Sequence, residues 1–231
     1  MARARKSFVD GGVPALDALA EELLFFYAAC FVSYRNFVER QPLAASAGGW
    51  LLGFALLYQL VRYAGLDEFQ DASRAVGSLH ALAVSAWSAS VLVQGKAERA
   101  FDAPSNTAAA TAVLCFSAGY FVYDTLGCLW HRDWESLLHH SASLFGILGA
   151  LRTGTSGALV LSCIVLTECT GPCVNAMHFF ERGGRKGDAV YFHTRLLFFA
   201  TFIVMRVGLG PFLTWRLLAT ASAPLVVKVF H

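Results

Sequence analysis

The sequence predicts an all-α, polytopic membrane protein: a transmembrane bundle or barrel of six to seven helices. The chain of 231 residues is 56% hydrophobic and only 15% charged, with a mean hydropathy of +0.53, whereas soluble domains carry about 25% charged residues. Apolar runs between the charges approach the ~20 residues that a helix needs to cross a bilayer. The net charge of +2 and the scattered basic residues exclude a disordered chain and argue against a nucleic-acid partner.

The predicted spans follow these runs in order. Five runs are long enough to cross, namely residues 48–64, 77–93, 108–130, 157–180 and 196–218. The run at 137–151 is shorter, but we count it as a crossing because both neighbouring runs cross. A seventh candidate, residues 16–34, begins with acidic side chains, so only its second part is cleanly apolar.

The spans divide the chain into three parts. Residues 1–45 form an amino-terminal segment with a possible first transmembrane helix, residues 46–218 a membrane domain, and residues 219–231 a short carboxyl tail. With seven spans, Lys and Arg are more numerous on the side of the amino terminus. The positive-inside rule then places that terminus in the cytosol.

Cysteine and histidine patterns predict neither a metal site nor a cofactor. The six cysteines lie in or beside apolar runs and form no Cys-x-x-Cys pair, which is typical of buried, inert thiols. Membrane non-haem iron oxygenases use repeated short histidine boxes, whereas His139 and His140 are the only close pair here.

Three ionisable residues lie within predicted spans: Asp124, Glu168 and Arg206. Each costs about 2.5–3.5 kcal/mol if it is unpaired at a helix centre, so we expect all three to face the interior of the bundle. Arg206 is the expected counter-ion of Asp124 or Glu168. Tyr120 precedes Asp124 by one helical turn and belongs to the same polar stripe.

The sixth span places Glu168 and Asn175 on one face, and Pro172 is expected to bend the helix beside the acid. His140 and Ser143 open the fifth span, and His80 begins the third. We expect these side chains to line one polar cavity. The alternative is that they only join helices through hydrogen bonds, at about 0.6 kcal/mol each.

A neutral imidazole beside a carboxylate is the arrangement of a general base or of an acyl-accepting nucleophile. The candidate catalytic residues are therefore His139, His140, Asp124 and Glu168.

Five segments, in this order and spacing, resemble the TLC-domain family of lipid-related membrane proteins. They are residues 78–81 (SLHA), 119–124 (GYFVYD), 134–140 (WESLLHH), 167–175 (TECTGPCVN) and the Phe-rich stretch 195–211. The resemblance covers residues 48–218 and implies a helical barrel around a lipid-sized cavity.

Ceramide synthases are the best-understood enzymes of that family, and their double histidine matches His139 and His140. They follow it with a signature rich in His-Asp and Ser-Asp, where this chain has LTECTGP at residues 166–172. The chain thus resembles the smaller TLC-domain-containing proteins, which are associated with membrane lipid composition.

The function expected from this resemblance is lipid binding within the bundle and an influence on membrane lipid homeostasis. Membrane lipids are the expected partners, and the endoplasmic reticulum or the plasma membrane is the expected location. The alternative is an acyltransferase of ceramide-synthase type, with acyl-CoA as donor substrate and His139 or His140 as base or acyl carrier. A transporter is a third class, but no repeated pair of broken helices is evident.

Overall fold

A computed structural model describes residues 42–66, 68–95 and 105–219, and this part of the chain is helical, without β-strands. Six segments follow one another. The first four are single helices: α1 (Pro42–Tyr63), α2 (Phe69–Gln94), α3 (Ala108–His131) and α4 (Trp134–Thr153). The fifth is interrupted and comprises α5 (Gly157–Glu168) and α6 (Gly171–Arg182). The sixth comprises α7 (Ala189–Phe202), a π-helical segment (Ile203–Leu209) and α8 (Gly210–Ala219).

The predicted all-α membrane bundle is confirmed. Four segments are long and apolar enough to cross a membrane: α2, α3, α5 with α6, and Ala189–Arg216 in the last segment. The crossings of α1 and α4, of 22 and 20 residues, stay predictions. The seventh candidate span and the carboxyl tail from residue 220 lie outside the described residues.

Helix α3 is the centre of the bundle. Of its most apolar stretch, 72% is buried, and it packs against α1, α2, α4 and α5. Gly119 permits the closest of these approaches, because a Cβ atom there would lie 2.5 Å from Trp50 Cβ and 2.8 Å from the carbonyl oxygen of Ala47. Small residues at such crossings are a common means of helix packing in membranes.

A tight turn joins α3 to α4 and fixes them as a hairpin. Arg132 adopts the left-handed conformation with φ of 59°, and its N–H donates to the carbonyls of Cys128 and Leu129 at the end of α3. The next residue, Asp133, caps α4 by accepting hydrogen bonds from the backbone N–H and the hydroxyl of Ser136, at 3.2 and 2.9 Å. These bonds satisfy groups that helix ends otherwise leave unpaired.

In the sixth predicted span, where a bend was expected, regular helix is interrupted at Cys169 and Thr170. Helix α5 ends at Glu168, and α6 begins at Gly171 with Pro172 in its first turn. Proline suits that position because it has no N–H to donate. The break leaves Glu168 at a helix end, beside backbone carbonyls that need other partners.

The last segment is also irregular at a proline. Seven residues before Gly210 and Pro211 are π-helical, and the N–H of Gly210 donates to the carbonyl of Met205. Because Pro211 has no N–H, regular α-helical bonding cannot continue through this point. The π-helical segment carries Arg206 and is the type of distortion often found at functional sites.

Polar residues join the start of α2 to the end of α6. Asp71 Oδ1 lies 2.9 Å from His178 Nε2, and Asp71 Oδ2 lies 2.8 Å from Arg182 Nη1. Arg182 also pairs with Glu68, whose pKa is lowered by hydrogen bonds from the guanidinium and by its positive charge. Because Asp71 and Arg74 are paired, α2 extends to Phe69, although the apolar run began only at residue 77.

Replacing Gly119 by valine is expected to separate α1 from α3 and lower the thermal unfolding temperature in detergent. The new side chain collides with backbone, so we expect a loss of at least about 2 kcal/mol of stability, as for overpacked cores. Gly53→Val is the matched control, since a Cβ atom at Gly53 meets nothing within 4 Å. Equal melting temperatures for the two variants would contradict this packing.

Candidate functional site

A polar cavity of about 340 Å³ lies among α2, α3, α4, the break between α5 and α6, and the π-helical segment. Seven of the nine predicted site residues line it: Tyr120, Asp124, His139, His140, Glu168, Asn175 and Arg206. The cavity extends to Phe69 and Asp133, at the end of the bundle where α2 begins and α3 ends. Its lining is therefore concentrated at one end of the helices.

Asp124 and His140 form the shorter of two imidazole–carboxylate pairs. His140 Nδ1 lies 2.6 Å from Asp124 Oδ2, so the ring N–H donates to the carboxylate. Asp124 is 5% exposed, and His140 is half-buried in the second turn of α4. With Nδ1 committed to Asp124, the proton-free nitrogen of a neutral ring is Nε2.

His80 and Glu168 form the second pair, across α2 and the end of α5. His80 Nδ1 lies 3.4 Å from Glu168 Oε2, and His80 Nε2 lies 3.5 Å from the hydroxyl oxygen of Ser117. The His80 ring stacks on Tyr120 with centroids 3.8 Å apart and is 1% exposed. His80 thus lies behind the cavity wall and contacts Glu168, which lines the cavity.

His139 and Ser143 differ in their relation to the cavity. The His139 ring lies 5.4 Å from that of His140 and lines the cavity. The prediction that Ser143 lines it is wrong: its hydroxyl donates to the carbonyl of His139 in the preceding turn of α4, at 3.1 Å. That bond satisfies Ser143 within its own helix.

Arg206 does not have the partner expected from the sequence. Its Nη2 donates to the carbonyl oxygen of Thr167 at 3.1 Å, one of the carbonyls freed where α5 ends. Among the described residues it forms no ion pair with Asp124 or Glu168. The prediction that it is their counter-ion is wrong, because a helix end also attracts a cation. Its Nε is buried without a hydrogen-bond partner in the described chain.

Asn175 joins α6 to α2 at the cavity wall. Its amide nitrogen donates to the carbonyl oxygen of Arg74 at 3.1 Å and to the hydroxyl of Ser78 at 3.0 Å. Its amide oxygen accepts from Arg74 Nη1 at 3.2 Å. Asn175 therefore serves the packing of two helices as well as the lining.

Arg74 and Cys128 are two of the lining residues that were not among the sequence candidates. Arg74 precedes the apolar run of its span, so the hydrophobic pattern gives no signal for it. Cys128 was classed with the inert thiols, yet its sulfur lies 3.9 Å from both Asp124 Oδ2 and His140 Nδ1. The signal for Cys128 was its position four residues after Asp124, on the same face of α3.

Comparison with known proteins identifies the domain. Residues 72–229 match the TLC domain. A TLC domain-containing protein of Arabidopsis thaliana is 33% identical over 137 residues, covering 55% of this chain and 53% of that protein. TLC domain-containing protein 1 of Gallus gallus is 22% identical over 107 residues, covering 45% of this chain and 42% of that protein.

The chain thus spans about half the length, or less, of these relatives, and no solved structure matches it. The family consists of membrane proteins generally linked to lipid metabolism. The described residues contain four helices that are long and apolar enough to cross a membrane, and the domain match covers more than half of the chain. This integral membrane protein therefore belongs to the TLC-domain family.

Proposed function

We propose that this protein binds a membrane lipid in the polar cavity and thereby influences membrane lipid composition. The observation that carries the proposal is a cavity, inside a largely apolar bundle, whose lining includes two carboxylates that each lie against an imidazole. Polar groups that only joined helices would need partners but no cavity between them. We infer that this cavity accepts a ligand with polar atoms.

The size of the cavity favours the polar part of a lipid. A volume of about 340 Å³ is at the lower end of the ~300–1,000 Å³ of small-molecule sites. It accommodates a head group and the adjoining atoms but not two acyl chains. We therefore infer that the chains extend beyond the cavity into the apolar surroundings.

The lining offers hydrogen bonds of both kinds to such a head group. The carboxylates of Asp124 and Glu168 accept, while the guanidinium groups of Arg74 and Arg206 donate. Each ring nitrogen of His139 either donates or accepts a hydrogen bond, depending on which of the two carries the proton. The cavity lies at the end of the bundle that the positive-inside rule assigns to the cytosol. A lipid of the cytosolic leaflet of the endoplasmic reticulum or plasma membrane is the corresponding ligand.

Acyl transfer from acyl-CoA is the second candidate, and the 2.6 Å contact of His140 with Asp124 favours it. The carboxylate orients the ring and stabilises its protonated form, as in other histidine bases. In this reaction Nε2 of His140 removes a proton from the lipid nucleophile, which then attacks the thioester. The protonated His140 then returns this proton to the departing sulfur, so that CoA leaves as a thiol, and these steps need no resident cofactor.

Changing Asp124 to Asn is expected to reduce the amount of lipid that copurifies with the protein in mild detergent. The variant removes a charged hydrogen-bond acceptor from the lining, which corresponds to a loss of affinity of about tenfold or more. The measurement is mass spectrometry of extracted lipids per mole of folded protein.

The matched control is Ser143→Ala, which also removes a polar group but one that bonds within α4. Its lipid content should equal that of the wild type. Wild-type lipid content in Asp124→Asn, with an unchanged melting temperature, would contradict the proposed binding site.

A rescue experiment separates binding from acyl transfer. Cells that lack the protein receive either the wild type or the variant with His139 and His140 both changed to alanine, at matched expression, and their lipids are quantified. We expect the variant to restore part of the phospholipid composition, since the cavity and its other polar groups remain.

A loss of one acylated lipid class that only the wild type restores would favour acyl transfer. Incubation of purified protein with acyl-CoA and a lipid acceptor would then yield free CoA with the wild type and none with the variant. Full rescue by the double variant would exclude a catalytic role for both histidines.

A further inference from the structure

The geometry points to a zinc site formed by Asp124, Cys128 and His140. Their ligand atoms lie close together: Nδ1 of His140 is 2.6 Å from Oδ2 of Asp124, and Sγ of Cys128 is 3.9 Å from each of them. This inference goes beyond lipid binding, which needs no metal. It also revises the expectation from the sequence, in which Cys128 was an inert thiol.

The three ligands are held by one rigid hairpin. Asp124 and Cys128 are one helical turn apart on α3, so their side chains project from the same face. The left-handed backbone conformation of Arg132 and the N-terminal cap formed by Asp133 fix the direction of α4 relative to α3. His140 lies in the second turn of α4, where the two helices are still adjacent.

The donor set selects the metal. One thiolate, one imidazole and one carboxylate suit zinc, which binds sulfur, nitrogen and oxygen in tetrahedral geometry. Magnesium and calcium prefer six or more oxygen ligands, which this cluster does not offer. Copper(II) and nickel(II) favour planar sets of nitrogen and oxygen ligands.

Only small movements are needed to admit the ion. Zinc bonds of about 2.0–2.3 Å in a tetrahedron place the ligand atoms roughly 3.3–3.6 Å apart. The nitrogen and oxygen atoms would therefore separate by about 0.7 Å, and the sulfur would approach each by about 0.3 Å. Rotations of the side chains provide such shifts without moving the helices. When zinc binds, the thiol releases a proton, and the proton of the neutral His140 ring moves from Nδ1 to Nε2.

The fourth position faces the cavity. Asp124, Cys128 and His140 all line it, so water or a polar atom of a ligand has access to the ion. Three protein ligands with one open position are typical of zinc sites that bind or activate a further molecule. A closed structural site would have a fourth protein ligand instead.

Metal content of the purified full chain tests the inference. The protein is isolated in detergent through a tag without histidine, treated with a chelator, and titrated with zinc chloride against a chromophoric competitor. We expect one zinc ion per chain and no competition by magnesium. Cobalt substitution should give a sulfur-to-metal charge-transfer band in the near ultraviolet, which requires a thiolate ligand.

Cys128→Ser should abolish that band and weaken zinc binding by at least about a hundredfold, since loss of an outer-shell partner alone costs 10–100-fold. Cys115→Ser is the matched control. Cys115 lies on the same helix and is buried, and its thiol donates a hydrogen bond to the carbonyl oxygen of Leu43. Its zinc affinity should be that of the wild type.

Two results would overturn the site: a wild-type protein that binds no stoichiometric zinc, or a Cys128→Ser variant that keeps the charge-transfer band. Neither depends on lipid, so both are distinct from failure of the proposed function. A melting curve without metal shows that each variant is folded before the titration begins.

Discussion

A carboxylate buried in a membrane protein must have a partner, and the pairing of Asp124 with His140 meets this requirement on the central helix of the bundle. Asp124 lies on α3, against which α1, α2, α4 and α5 all pack. Its partner comes from α4, whose direction is set by the turn at Arg132 and Asp133. The same contact therefore satisfies a costly charge and brings the double histidine of α4 to the cavity. A helix that carried Asp124 without this hairpin would have to expose the charge to lipid or lose its central position.

The two helix irregularities have a common consequence for the cavity. Pro172 ends regular helix beside Glu168, and Pro211 does the same beyond Arg206. Regular helices on both sides would satisfy their own backbone and leave no unpaired carbonyl for a side chain. Because α5 ends early, the carbonyl of Thr167 accepts from Arg206 instead. A backbone acceptor thus holds a guanidinium in the membrane region and leaves the carboxylate of Glu168 to His80.

The sequence predicted local features of the fold well and long-range pairings poorly, for a physical reason. Hydrophobic runs placed the six described segments, and Pro172 placed the break, because both properties depend on neighbours in the chain. Which histidine pairs with Asp124 and which with Glu168 depends on how the helices pack. Several pairings would satisfy the same charges, so the sequence does not distinguish among them. The partner of Arg206 is the backbone carbonyl of Thr167, and a pattern of charged residues in a sequence does not reveal such a partner. Ser143 shares a face with His140 by periodicity alone, yet its hydroxyl bonds back to its own helix.

The imidazole–carboxylate pairs already formed at the lining also limit the binding free energy of a ligand that enters the cavity. Asp124 and Glu168 already lie against imidazole rings. A lipid head group that binds either carboxylate replaces that contact, so its gain in free energy is only the difference between the new contact and the old one. Arg206 differs from these carboxylates, because it lines the cavity and its guanidinium is bonded to the carbonyl oxygen of Thr167 rather than to a charged side chain. Under the proposed function, a head group with an acidic oxygen would therefore gain an ion pair with Arg206 without displacing an imidazole.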